Sequence, residues 1–421
     1  MTKQHMERPE VNMNYVKCAR CIECGHEIEA APDITVCPEC GGLLDIIYDY
    51  DALKQDVTRE TFARRGEPTI WRYAELLPVY PQVAAKMIDE GLLVGNSPLY
   101  QADRLAKEVG VAQLFVKDDG QNPTASMKDR ASAMAVAKAL EANRKVIACS
   151  STGNAASSLA GNAARAGLET YIFVPERAPK GKIAQLLIFG AHVFCVKGDY
   201  GATFRLSARA IEKFGWYNRN AAINPYLLEG KKTVAFEIAE QLGWQVPDFV
   251  AMSVGDGCSI AGLWKGFFDL YKVGLISKLP RLISVQARGC CPINTAYTSG
   301  KPLEPMAEDT VADSIAVGQP RNPHKALAAI KASGGIAVNV SDSEIFAAMR
   351  LLGRTTGVFG EPAGVAALAG VIRARQMNQI PKNCSVAYVV TGNGLKDVAH
   401  GIEAAGEPRL VDPEIDLEQL L

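Results

Sequence analysis

From about residue 95 onward, short apolar runs alternate with stretches of helical periodicity, the pattern of a parallel α/β protein. Apolar runs at 146–149, 170–174, 192–196, 249–254, 282–286 and 385–390 predict strands, several entered or left through Gly, Pro or Ser. Amphipathic patterns at 131–141, 155–166, 182–189, 203–214 and 260–271 predict helices between them. Residues 50–95 read as a connector with helical pieces, broken at Pro68, Pro78 and Pro81. No internal repeat or low-complexity tract interrupts the pattern, and composition draws no clean boundary within the α/β part.

Charge narrows the partners. The 421 residues carry 45 basic and 46 acidic side chains, so the surplus of Lys and Arg that nucleic acid or an anionic membrane surface demands is missing. No apolar run approaches the roughly 18 residues of a membrane span. The opening residues lack the charged start, apolar core and small-residue site of an export signal. The expectation is a cytoplasmic protein with no nucleic-acid or membrane partner and with its thiols reduced.

Five of the eleven cysteines crowd into the first 40 residues, and that clustering asks for an explanation. Cys21 and Cys24 form one Cys-x-x-Cys knuckle, Cys37 and Cys40 a second, and each is followed by a turn-permitting Gly25 or Gly41. Four thiolates so spaced can surround a tetrahedral zinc in a small ribbon. The gap of twelve residues between the pairs is a little under the usual range, and Cys18 could exchange into the set. A ribbon that packs without the ion is the alternative. The remaining six cysteines read as small buried hydrophobes or, for Cys258, part of a loop considered next.

Ligands in parallel sheets bind beyond the carboxyl ends of the strands. Three loops at such ends are unusually rich in Gly, Ser, Thr and Asn: Ser150-Ser151-Thr152-Gly153-Asn154, Gly255-Asp256-Gly257-Cys258-Ser259 and Thr391-Gly392-Asn393-Gly394. The middle one could cradle a phosphate or be a plain tight turn. The fingerprints of a P-loop and of a dinucleotide site are absent. In a fourth segment, Asn122-Pro123-Thr124-Ala125-Ser126-Met127-Lys128-Asp129-Arg130, Ser126 is the expected N-cap of a helix with Asp129 three residues on. Lys128 then lies in the first turn, where the helix dipole favours the neutral amine that Schiff-base chemistry needs. A solvated lysine beside Asp129 and Arg130 is the plain alternative.

Taken in order, NPTASMKDR, SSTGN, the Gly-rich loop before a helix, Glu361-Pro362-Ala363 and TGNGLKD resemble the pyridoxal-phosphate enzymes of the tryptophan-synthase-β-like fold, and among them the threonine synthase group, over roughly residues 95 to 405. The resemblance implies a two-lobed α/β fold with parallel-rich sheets, commonly a homodimer. The catalytic part would be 51–421, with a smaller lobe near 125–215, behind a zinc-ribbon-like segment at 1–50. It implies pyridoxal 5'-phosphate as cofactor and Lys128 as the residue that binds it and moves protons. Asn154 would face the ring hydroxyl, Thr391 the ring nitrogen, and Gly255, Asp256, Gly257, Cys258 and Ser259 the cofactor phosphate. Ser151, Thr152 and Asn154 would grip the substrate carboxylate. The implied reaction converts O-phosphohomoserine and water to threonine and phosphate.

The chain also departs from that pattern. Where the family offers a Ser and an Arg to the substrate phosphate, it has Ala222 and Leu227. Losing such a charge-assisted partner costs about 2 kcal/mol of anion binding. Lys231, Lys232 and Arg130 are candidates to replace it. Asp256 stands where the family carries Asn, and next to a phosphate it is expected to turn away and cap the following helix. Met127 replaces a commoner Phe. The departures leave a second reading open: a cysteate synthase acting on O-phosphoserine, a serine or threonine dehydratase, or a diamino acid ammonia-lyase. A cofactor-binding subunit without turnover is disfavoured by the joint presence of Lys128, Asn154 and Thr391.

Overall fold

The computed structural model describes residues 15–178, 180–198, 200–220, 222–415 and 418, so residues 1–14 of the expected N-terminal module lie outside it. Among the described residues the strands form three sheets. One has four parallel strands in the order His192–Val196, Glu169–Pro175, Val146–Ser150, Tyr217–Asn218. A second has six, in the order Ile336–Val340, Arg281–Ala287, Phe249–Ser253, Ser385–Val390, Gln113–Asp118, Leu99–Gln101; only the last runs antiparallel to its neighbour. Every residue of Phe249–Ser253 is buried, as is nearly all of Ser385–Val390. Helices cover both faces of such strands, so they read as unbroken apolar runs.

All six runs expected as strands are strands, and the five helical patterns lie on Lys128–Glu141, Asn154–Arg165, Lys180–Ile188, Tyr200–Phe214 and Cys258–Val273. The helix Tyr226–Gln241 was not legible. It is buried almost all round although it carries Glu229, Lys231, Lys232 and Glu237. Burial is possible because Lys232 pairs with Glu229 and Asp269, both at 2.6 Å, while Glu237 meets Lys117 at 2.6 Å and Arg130 at 2.5 Å. Gly230 lets this helix press against Lys128–Glu141, since a Cβ there would run into the Arg130 carbonyl. On its other side a Cβ at Gly266 would fall 2.7 Å from the Ala235 Cβ. Three helices are thus locked together, and their N-terminal halves carry the residues of interest.

Residues 50–95 are helical in pieces, as expected, but they are a packed layer rather than a linker. Pro81 opens the helix Pro81–Glu90, where its missing N–H costs nothing. Phe62, Trp71 and Tyr73 are fully buried, and the Tyr73 ring sits 5.3 Å from those of Phe62 and Phe236. The aromatic side chains close the back of the Tyr226–Gln241 helix. No helix among the described residues is long and apolar enough to cross a membrane.

The third sheet is antiparallel, with Val16–Cys21 between Glu27–Ile28 and Leu44–Tyr48. It is tied to the three-helix unit. The Tyr48 hydroxyl donates to Glu229 (2.6 Å), Lys265 donates to Asp45 (3.0 Å), and the Tyr226 hydroxyl donates to the Ala31 carbonyl (2.8 Å).

Candidate active site

The position of Lys128 follows from a short backbone crossing. The Met127 amide donates to the Thr391 carbonyl (2.9 Å), the Asn393 amide donates to the Ala125 carbonyl (3.0 Å), and Ser126 and Gly392 pair as an antiparallel bridge. Lys128 is thereby set at the carboxyl end of Ser385–Val390, and half-buried. The cap differs from expectation. Met127 is the cap residue, and the Ser126 hydroxyl is buried without a partner among the described residues. Ser126 is held in the bridge to Gly392, so its side chain is not free to cap. Asp129 instead accepts from the Thr124 amide and hydroxyl, both at 2.8 Å, and from Asn162 (2.9 Å), which fixes the preceding turn. Burial raises the Asp129 carboxyl to about 6.

The Lys128 amine makes no hydrogen bond among the described residues. Burial lowers it to about 8; the neighbouring Lys231 and Arg219 cations push the same way, and Glu361 opposes them. Glu361 is the residue sequence reasoning missed. It was quoted as part of a motif but given no role. Its buried carboxylate accepts from the Asn154 side-chain amide at 2.7 Å, and a Cβ on Gly392 would collide with it. Glu361 therefore joins Asn154 to Lys128 and the Thr391–Gly392 turn. Ser151 and Thr152 lie half-buried in the loop leading to Asn154, with the Ser151 hydroxyl accepting from the Gly153 amide (3.2 Å). Behind them the Ser150 amide donates to Asn220 (2.8 Å). Lys396, from the last loop, donates to Ser157 and Gln185, both at 2.9 Å, and so ties the larger sheet's loop to helices beside the smaller sheet.

The Gly255–Ser259 loop leaves strand Phe249–Ser253 and enters the helix Cys258–Val273 with no side chain capping it, so its first amides are open to an acceptor. Gly257 has φ +92°, and a Cβ there would lie 2.7 Å from the Asn322 carbonyl oxygen, so both conformation and contact require glycine. Asp256 does turn away but not to cap this helix. Its carboxylate accepts from the Arg321 amide (3.2 Å) and its carbonyl from the Asn322 amide (3.0 Å). The left-handed turn at Gly257 separates it from the helix start and aims it at the neighbouring loop.

Of the three cations considered for an incoming phosphate, two are committed elsewhere. Arg130 is buried against Asp119 (2.7 Å) and Glu237 (2.5 Å), and Lys232 against Glu229 and Asp269. Lys231 is buried with no ion pair among the described residues. Leu227 is 2% exposed, and Ala222 adopts φ +70° beside residue 221, which lies outside the described residues.

The family described as pyridoxal-phosphate dependent enzyme matches residues 91–392, from the turn before the first strand of the six-stranded sheet to Gly392. The chain belongs to that family. Among its relatives, the threonine synthases of Methanosarcina acetivorans and Methanocaldococcus jannaschii are each 40% identical to it; the alignments span 94% of this chain and 96% and 97% of theirs. In three dimensions the pyridoxal-phosphate enzyme is similar to the processed form of threonine deaminase isoform 2 from Solanum lycopersicum. The TM-score is 0.62 at 22% identity, covering 77% of this chain and 93% of the other, a likeness of fold alone.

At the other end of this pyridoxal-phosphate enzyme, the Cys21, Cys24, Cys37 and Cys40 sulfurs lie within 4.8 Å of one another. Neighbouring pairs stand at 3.5 to 3.7 Å, and a tetrahedral zinc with bonds of about 2.3 Å would set sulfurs about 3.8 Å apart. The donor set therefore fits such an ion. Cys18 is buried outside the group.

Proposed function

We propose that this enzyme converts O-phosphohomoserine and water to threonine and phosphate. The observation that carries the reading is similarity to threonine synthases over 94% of the chain. The residues present fit the cofactor. Lys128 offers an amine without a hydrogen-bond partner among the described residues, and Gly255, Asp256, Gly257, Cys258 and Ser259 offer the uncapped start of a helix to its phosphate. Asn154 would face the ring hydroxyl and Thr391 the ring nitrogen. When bound, pyridoxal phosphate supplies an electron sink for charge developing at the substrate α-carbon. Lys128 takes and returns protons at the α- and β-carbons, which requires an amine that can be neutral near physiological pH. Ser151, Thr152 and Asn154 hold the substrate carboxylate, and Glu361 fixes the Asn154 amide through their hydrogen bond. The neutral Thr391 hydroxyl leaves the ring a weaker electron sink than a carboxylate would, which suits elimination and replacement beyond the α-carbon.

The reading extends to an amino-acid substrate, a structural zinc at Cys21, Cys24, Cys37 and Cys40, a catalytic unit at 51–421 and a cytoplasmic homodimer. Lys128→Ala should lose both the visible absorbance of bound cofactor and turnover, and an active Lys128→Ala protein would sink the mechanism. Wild-type enzyme should release phosphate from O-phosphohomoserine with formation of threonine. A second reading is favoured by Leu227, an aliphatic residue where the family offers Arg: replacement on O-phosphoserine, or ammonia release from serine, threonine or a diamino acid. Faster consumption of any of these than of O-phosphohomoserine would select it.

A further inference from the structure

The buried cations around the three locked helices come with acids. Lys117 has Glu237, Arg130 has Asp119 and Glu237, Lys232 has Glu229 and Asp269, Lys265 has Glu229 and Asp45. Lys231, 3% exposed, has no such partner among the described residues. A buried charge without a counter-charge is costly, and in enzymes it persists where a ligand completes it.

Its place in the fold says which ligand. Lys231 lies four residues after Leu227 on the same helix, one turn further along the same face. Its Cβ is pinned against the next helix, where a Cβ built on Gly262 would stand 3.0 Å away. The groups that act on its charge are Cys258 at the start of the Gly-rich loop's helix, Arg219 and Asp256, and Lys231 in turn acts on Lys128. The side chain is therefore near enough to both the catalytic amine and the phosphate-type loop to feel their charges. Burial lowers the Lys231 amine, and an anion beside it would raise it again.

We propose that Lys231 is a specificity-determining residue that receives the phosphate of the substrate, replacing from one helical turn away the cation missing at position 227. The proposal deepens the O-phosphohomoserine reading and rests on it for the identity of the substrate. The anion is a phosphate monoester dianion, and the two sources of such a group here, substrate and cofactor, are separable by experiment.

The test uses holoenzyme. Inorganic phosphate is titrated calorimetrically, O-phosphohomoserine kinetics are recorded, and cofactor affinity is read from visible absorbance. Lys231→Gln should weaken inorganic phosphate binding and raise KM about tenfold or more, the worth of one charge-assisted hydrogen bond. Measured above the Lys128 midpoint, cofactor absorbance and affinity should stay unchanged, and Lys231→Arg should preserve phosphate binding. Weaker cofactor binding at unchanged phosphate affinity would assign Lys231 to the cofactor and overturn the proposal. So would wild-type holoenzyme that binds no phosphate, or a Lys231→Gln variant equal to wild type. If phosphate binds through Lys231 yet O-phosphohomoserine is not consumed, the anion site stands and the substrate reading falls. Turnover of O-phosphohomoserine indifferent to Lys231→Gln gives the reverse.

Discussion

Lys128 is lowered from an ordinary 10.5 to about 8, burial first and the Lys231 cation next. At pH 8 about half of such an amine is uncharged, against roughly 0.3% for a free lysine, a gain of about two orders of magnitude in nucleophile. The consequence is measurable in cofactor-stripped protein. The second-order rate at which added pyridoxal phosphate regains its protein-bound absorbance should rise with pH and level off above a midpoint near 8, after correction for the cofactor's own ionisations. Two substitutions then test the causes in opposite directions. Lys231→Gln removes a like charge and should move the midpoint up, because protonated Lys128 becomes easier to hold. Glu361→Gln removes the opposing carboxylate and should move it down. A midpoint at 10 or above, or both variants moving it the same way, would refute the electrostatic account of Lys128.

Three further outcomes follow from packing and charge. Gly230→Ala drives a methyl group into the Arg130 carbonyl and should destabilise the protein by about 1–3 kcal/mol or more in urea unfolding, with activity falling as the Lys231 helix shifts away from Lys128. Glu237→Gln leaves Lys117 and Arg130 undercompensated at sites 0% exposed and should cost about 3–5 kcal/mol in the same assay. Freshly purified protein should hold about one zinc per chain by metal analysis. Cys24→Ser should release it and lower the thermal midpoint, with visible absorbance retained in the folded protein; zinc-free wild type of equal stability would instead mark a ribbon that packs without metal.

Six of the ten strands of the two large sheets were legible as apolar runs, most clearly Phe249–Ser253 and Ser385–Val390, where burial on both faces leaves no alternation to decode, while Leu99–Gln101, Tyr217–Asn218 and Ile336–Val340 gave no such signal. Gln113–Asp118 was missed because Lys117 and Asp118 at its end look like solvent-exposed charges, although both are buried. The Tyr226–Gln241 helix hid for the same reason. In the site, Lys128, the three polar loops and the cysteine knuckles were visible because each is a local motif whose chemistry depends on residues a few positions apart. The Ser126 cap failed because a bridge to Gly392, more than 260 positions along the chain, occupies that backbone.

What the sequence determined by itself was therefore the alternating α/β plan, the lysine at a helix start and the grouping of four thiols, all governed by short-range periodicity and spacing. Only the tertiary structure decided which charges are spent and which remain available. Arg130, Lys231 and Lys232 read alike along the chain, yet Asp119, Glu237, Glu229 and Asp269 neutralise two of them and leave the third. A buried cation's partner is chosen by helices that Gly230 and Gly266 allow to press together, and Coulomb attraction across such a contact leaves no mark in the local pattern of residues.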